Sequence, residues 1–212
     1  MTEFQKMYYD KRAQVLVKNL QKRHFGAYYC ETAADALKKA LELIPEGASV
    51  GWGGAMSAEQ VGLLEAVRQG NYREIDRDKA SNPQERNRIM RQCLTVDWFI
   101  TGANALSLDG EMVNIDGIGN RVAAIVYGPD SVIVIAGMNK VCDTLEDAIT
   151  RARTVAAPIN KQRFGQDTPC GVTGACADCK SEGCICNQIL ITRNCRPAGR
   201  IKFILVGEEL GF

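Results

Sequence analysis

Histidine is nearly absent from the chain: His24 is the single one. A Ser/His/Asp hydrolase would have to use it, and it falls at the end of the first expected helix, where a cap or a cation is comfortable. Long apolar runs are also missing. The longest, VIVIAGM over 132–138, is far short of the roughly 18–20 residues that a membrane helix needs, and it reads as a buried strand. Neither sign of charge is in excess: 26 Lys and Arg stand against 25 Asp and Glu, for a formal net charge of +1. No basic stripe invites nucleic acid, and no acidic tail is present. The first twenty residues are charged throughout and lack the apolar centre of a secretory signal. Internal repeats, low-complexity tracts and flavin or nicotinamide motifs are lacking too. The expectation is a cytoplasmic protein whose thiols stay reduced.

What the sequence does contain is an alternation of helix and strand. Residues 4–25 read as an amphipathic helix carrying Tyr8, Val15, Leu16 and Leu20 on one face. Thr32, with Asp35 three residues on, caps a helix through Ile44. Strands are expected at 27–30, 49–52, 72–75, 96–101, 131–137 and 200–207. Helices are expected from about Ser57 to Arg68, from Pro83 to Cys93, and from Thr144 to Ala157, where Pro158 should stop the last. Residues 105–116 read as a hairpin turning on Asp109-Gly110, and 120–127 as a short helix or turn. The Asp76-Arg77-Asp78 run reads as a solvated turn. This order predicts an α/β fold in three layers, a mostly parallel sheet between helices. At 212 residues the chain suits one domain, 1–212, with a Cys-rich, metal-organised insert at about 158–199.

The insert holds the first constellation. Five of nine cysteines lie between Cys170 and Cys186, in the stretch CGVTGACADCKSEGCIC. In a reduced compartment such crowding points to metal or cluster binding rather than disulfides. A Cys-x2-Cys turn can aim both sulfurs at one centre, and Gly171 and Gly174 let the backbone wrap. The favoured ligands are Cys170, Cys176, Cys179 and Cys186. Cys184 stands aside because two ligands two residues apart on an extended strand crowd a tetrahedral centre, and Cys195 is further removed. An iron–sulfur cluster (4Fe-4S) and a zinc ion both take four thiolates, so either is open. Cys30, Cys93 and Cys142 read as small core residues.

The second constellation is a set of loops after strands. VGWGGAMS puts Gly53, Gly54 and Ser57 between a strand and a helix, though it is neither a Walker loop nor a dinucleotide fingerprint. Asn104 follows the strand at 96–101, and Lys140 follows 131–137. Asn114, Asp116, Asn120 and Arg121 lie in the hairpin and the turn after it. In open α/β sheets ligands gather beyond the carboxyl ends of strands. Gly53, Gly54, Ser57, Asn104, Asn120, Arg121 and Lys140 are therefore the candidate cleft for a small anionic metabolite, with the last two supplying charge. Plain turn chemistry is the competing reading of the same residues.

The segments VGWGGAMS, TGANALSLDGEMVNIDGIGNRVAAIVYGP, VIVIAGMNK, PCGVTGACADC with ICN, and RIKFILVGEELGF resemble the lactate-utilisation (LUD) domain family over almost the whole chain. The resemblance implies a fold like the ribose-phosphate isomerase and CoA-transferase (NagB/RpiA-like) group. It also implies an association with lactate oxidation through iron–sulfur proteins, and the cysteine pattern Cys170, Cys176, Cys179, Cys186. The chain departs from the family where Ala55 replaces a usual serine, where Ser57 replaces a usual threonine, and where Cys184 is an extra cysteine. Many family members lack the cysteine tail. The first expectation is a redox-linked protein that relays electrons to a partner protein or supports a complex, as a monomer or a homo-oligomer. The alternatives are a non-catalytic scaffold, or an isomerase- or transferase-like enzyme acting on a phosphorylated or CoA-linked substrate, with structural zinc. The enzyme would need a carboxylate base such as Glu59, Glu111 or Asp116.

Overall fold

The computed structural model describes every residue from Met1 to Phe212. In chain order the elements begin α1 (Glu3–Lys22), β1 (Gly26–Cys30), α2 (Ala33–Leu43), β2 (Ser49–Trp52), α3 (Met56–Gln60), α4 (Leu63–Gln69), β3 (Arg73–Ile75), α5 (Pro83–Gln92) and β4 (Trp98–Gly102). They continue with β5 (Ala105–Ser107), β6 (Met112–Asp116), α6 (Asn120–Val126), β7 (Ser131–Gly137), β8 (Val141–Cys142), α7 (Leu145–Arg151), α8 (Ala157–Lys161), α9 (Pro169–Thr173), β9 (Gln188–Thr192) and β10 (Ile201–Val206).

Six strands form one sheet in the order β1-β10-β7-β4-β2-β3, and every pairing in it is parallel. The central strands are apolar on both faces because both are covered. Along β7, Val132, Val134 and Ala136 enter one core with Leu16 and Leu20 of α1, while Ile133 and Ile135 enter the other with Ala36 and Ala40 of α2. β10 divides the same way: Phe203 and Leu205 on one side, Ile204 and Val206 on the other. This is the α/β sandwich expected from the alternating pattern. A second sheet, β8-β5-β6-β9, is mixed and packs Ala105, Val113 and Ile115 against Ala148 and Ala152.

Several local expectations need correction. On α1 the buried stripe is Ala13, Leu16 and Leu20, while Tyr8 and Val15 face outward. The helix expected over 57–68 is two, broken at Gly62, whose φ of 84° suits glycine. The hairpin loop has three residues rather than two. Ser107 pairs with Glu111 (N to O 2.9 Å), and Gly110, at φ 97°, takes the left-handed position of the three. Pro158 does not end its helix. A π-helical turn over Ala152–Ala156 precedes it, and α8 continues through it to Lys161.

Parallel strands end on one edge of their sheet. β2, β4 and β7 lie beside or next but one to each other, so the loops beginning at Gly53, Ala103 and Met138 leave that edge together. β9 pairs antiparallel with β6, setting Gln188 opposite Asp116. That pairing brings the cysteine segment to the same edge.

Candidate functional site

A cavity of about 910 Å³ opens at this edge. Gly53, Gly54, Ser57, Asn104, Asn120, Arg121 and Lys140 all line it. Five arginines (Arg77, Arg86, Arg91, Arg121 and Arg163) and Lys140 share its wall with three side-chain carboxylates, those of Glu59, Asp78 and Asp116. The excess of positive charge suits an anion. Asn114 is drawn elsewhere: it is fully buried in β6, and its Nδ2 donates to the Gly102 carbonyl at 2.9 Å. Glu111 also lies outside the cavity, ion-paired with Arg23 at 2.7 Å.

Arg121 is anchored on three sides. Its Nη2 donates to Asn104 Oδ1 at 3.0 Å and to the Ile115 carbonyl, and its Nε to Asp116 Oδ2 at 3.3 Å. Asn104 is fixed in turn, because Oδ1 also accepts from the Ile115 amide at 2.9 Å. Burial lowers the Arg121 pKa and Asp116 opposes the shift. The guanidinium remains charged, as arginine does in proteins. Gly53 packs against it so closely that a β-carbon there would come within 2.9 Å of Arg121 Cγ.

Lys140 lies deeper. Only 3 % of it is exposed, and Nζ donates to Ser57 Oγ at 3.0 Å and to the Ala103 carbonyl at 3.1 Å. Burial, with help from Arg151 and Arg121, lowers its pKa to about 7. Ser57 does not cap α3: Ala55 stands at that position without a side-chain bond, and Ser57 Oγ donates to the Leu210 carbonyl at 3.3 Å.

Arg77 is a cavity residue that no sequence motif singles out. The turn expected to be solvated is so only at Asp78, which is exposed: Asp76 is buried, bonded to Arg68 at 2.9 Å, and Arg77 lines the cavity with its buried Nε 3.9 Å from Asp78 Oδ1. The available signal was position, since Arg77 follows the carboxyl end of β3 just as Gly53 follows β2. Arg163 and Phe164, which also line the cavity, carry no pattern of their own.

The cysteines surround a second, smaller cavity of about 210 Å³, lined by Cys170, Cys176, Cys179, Cys184 and Cys186. All nine cysteines of the chain are free thiols. No three His, Cys, Asp or Glu side chains converge as closely as a single metal ion requires. Burial, then the neighbouring Cys184, Cys176 and Cys170, push the Cys186 thiol up to about 12. Bonds from Ser181 lower that of Cys179. Cys195 is apart from them, buried and accepting from the Ile201 amide at 3.2 Å. Cys30 and Cys93 are buried and Cys142 is half-buried, each packed in or against a core. Ile185 lines both cavities, so the two are neighbours.

No curated protein matches the sequence. Among solved structures, a DUF162 family protein from Deinococcus radiodurans is similar over 93% of this chain and 97% of its own, at 11% identity and a TM-score of 0.55, a likeness of fold. The delta subunit of eIF2B from Chaetomium thermophilum gives 13% identity over 63% of this chain and 54% of its own, with a TM-score of 0.37. The LUD domain matches residues 13–206, nearly the whole chain, and to that family the protein belongs.

Proposed function

We propose that this LUD-domain protein is redox-linked: it takes a small anionic metabolite into the cationic cavity and carries an iron–sulfur centre beside it. One observation carries the reading. Five thiols line a cavity that shares Ile185 with the cationic one. Cys170, Cys176, Cys179 and Cys186 would hold the centre, and Cys184 is the extra thiol. Four thiolates suit a cluster or one zinc ion, but zinc has no redox chemistry, so a redox-linked role needs the cluster. When bound, such a centre would supply one-electron transfer at a potential set by its surroundings.

The chain's own residues bind and orient the anion. Arg121, held by Asn104 and Asp116, presents a fixed guanidinium, and Arg77 adds a second positive charge to the wall. The test is metal, acid-labile sulfide and visible-absorption analysis of protein prepared without oxygen. Iron and sulfide in cluster proportion, lost in Cys176→Ser, support the proposal. Colourless protein without iron overturns it, and one zinc per chain favours the scaffold or transferase-like reading.

A further inference from the structure

Two lysines of this protein are almost fully buried, and they are buried differently. Lys161, 2% exposed, brings a counterion: Asp167 Oδ1 at 2.5 Å. That is how a structural charge is ordinarily held out of water. Lys140, 3% exposed, has no carboxylate partner. Both of its acceptors, Ser57 Oγ and the Ala103 carbonyl, are neutral, and Arg121 and Arg151 repel its charge. A lysine kept dry beside other cations is a poor ammonium and a good nucleophile. Its pKa of about 7 leaves a large neutral fraction at neutral pH. Lys140 lines the large cavity, on the loop after β7, and Arg121 lines it too.

We propose that Lys140 is an imine-forming amine, and that its ligand is an anionic carbonyl compound of the oxo-acid class. This deepens the reading of the cavity as an anion site and rests on it. Arg121 takes the carboxylate while the Lys140 lone pair attacks the carbonyl carbon. A C–N bond forms, the carbonyl π bond opens, and a proton passes from nitrogen to oxygen to give a carbinolamine. The C–O bond then breaks and water leaves, so amine plus carbonyl becomes imine plus water, with no change of oxidation state. Ser57 Oγ, 3.0 Å from Nζ, is placed to pass the proton between nitrogen and oxygen.

The test treats the full chain at neutral pH with glyoxylate and cyanoborohydride, which delivers hydride to an imine and fixes it. Intact mass and peptide mapping then locate the adduct. The expected result is one adduct per chain on Lys140, formed about tenfold or more faster than on exposed lysines, whose higher pKa leaves little free amine. Lys140→Arg, which keeps the cation, should abolish it. Modification spread over surface lysines with Lys140 untouched overturns the proposal, and peptide mapping of the wild type alone decides this even where the variant folds poorly. Calorimetric titration with inorganic phosphate separates the two ideas. Phosphate binding without a Lys140 adduct removes the imine and leaves the anion site, whereas absence of both removes both.

Discussion

Lys161 Nζ contacts Asp167 Oδ1 at 2.5 Å and also donates to the Gly183 carbonyl at 2.9 Å, so one buried ammonium ties together both ends of the cysteine segment. Asp167 lies just before α9, and Gly183 just before Cys184. A β-carbon on Gly183 would fall 1.7 Å from Asp167 Oδ2, so no other residue fits that crossing without moving it. Lys161→Met keeps the buried stem and removes the tie. The thiols of the metal-free protein should then react several-fold faster with a disulfide reagent, while far-UV circular dichroism stays the same. Unchanged thiol kinetics would mean that the segment is held by its pairing with β6 alone.

Gly53 tests how far anion binding depends on the pose of Arg121. In Gly53→Ala the new methyl group would press on Arg121 Cγ, Cδ and Cβ, at 2.9, 3.1 and 3.2 Å. The stem of Arg121 must give way, which disturbs the contacts of its guanidinium with Asn104 and Asp116. Loss of one oriented, charge-assisted contact, worth about 1.5–3 kcal/mol, should weaken phosphate binding about tenfold or more. Calorimetry measures this directly, and an unchanged affinity would show that Arg121 is not the anion's anchor.

The core makes a separate prediction. Phe203 in β10 meets Phe25 edge to face, with ring centroids 5.1 Å apart and the planes at 90°. Both are buried beneath α1 in the core that also holds Leu16 and Leu20. Phe203→Ala should cost about 3–5 kcal/mol in chemical denaturation, as large-to-small substitutions of buried aromatics do. A loss below about 1 kcal/mol would mean that the core collapses onto the space.

The sheet was readable in the sequence because β7 and β10 are apolar on both faces, which only a strand covered on two sides requires. The stripe of α1 was less readable. Val15 and Tyr8 are large and apolar yet exposed, while the small Ala13 faces the core. Pro158 misled because a π-helical turn accommodates it, and nothing in the local sequence announces such a turn. The loops of the cavity were legible because parallel strands bring their ends to one edge. Arg77 was not, since Asp-Arg-Asp looks solvated until Asp76 is found buried against Arg68. The lack of a carboxylate beside Lys140 is a tertiary fact, decided by residues far away in the chain, and no spacing could have revealed it.

Lys140 also predicts a pH dependence. Burial, Arg151 and Arg121 hold its folded pKa near 7, against an ordinary value of 10.5. Below pH 7 both folded and unfolded chains carry the proton, and the cost of burying the charge is present in full. Between about 7 and 10.5 the unfolded chain holds a proton that the folded chain has released, so stability rises with pH. Lys140→Met has no such group. The difference in unfolding free energy, wild type minus variant, should therefore climb across this window, by at most about 1.36 kcal/mol per pH unit. Taking the difference cancels the titration of groups that the two proteins share. Phosphate in the cavity should move the onset to higher pH, because a bound anion favours the ammonium. Urea denaturation of both proteins at a series of pH values reads the slope. Parallel curves would mean that Lys140 keeps its proton when folded, and that its amine is not available at neutral pH.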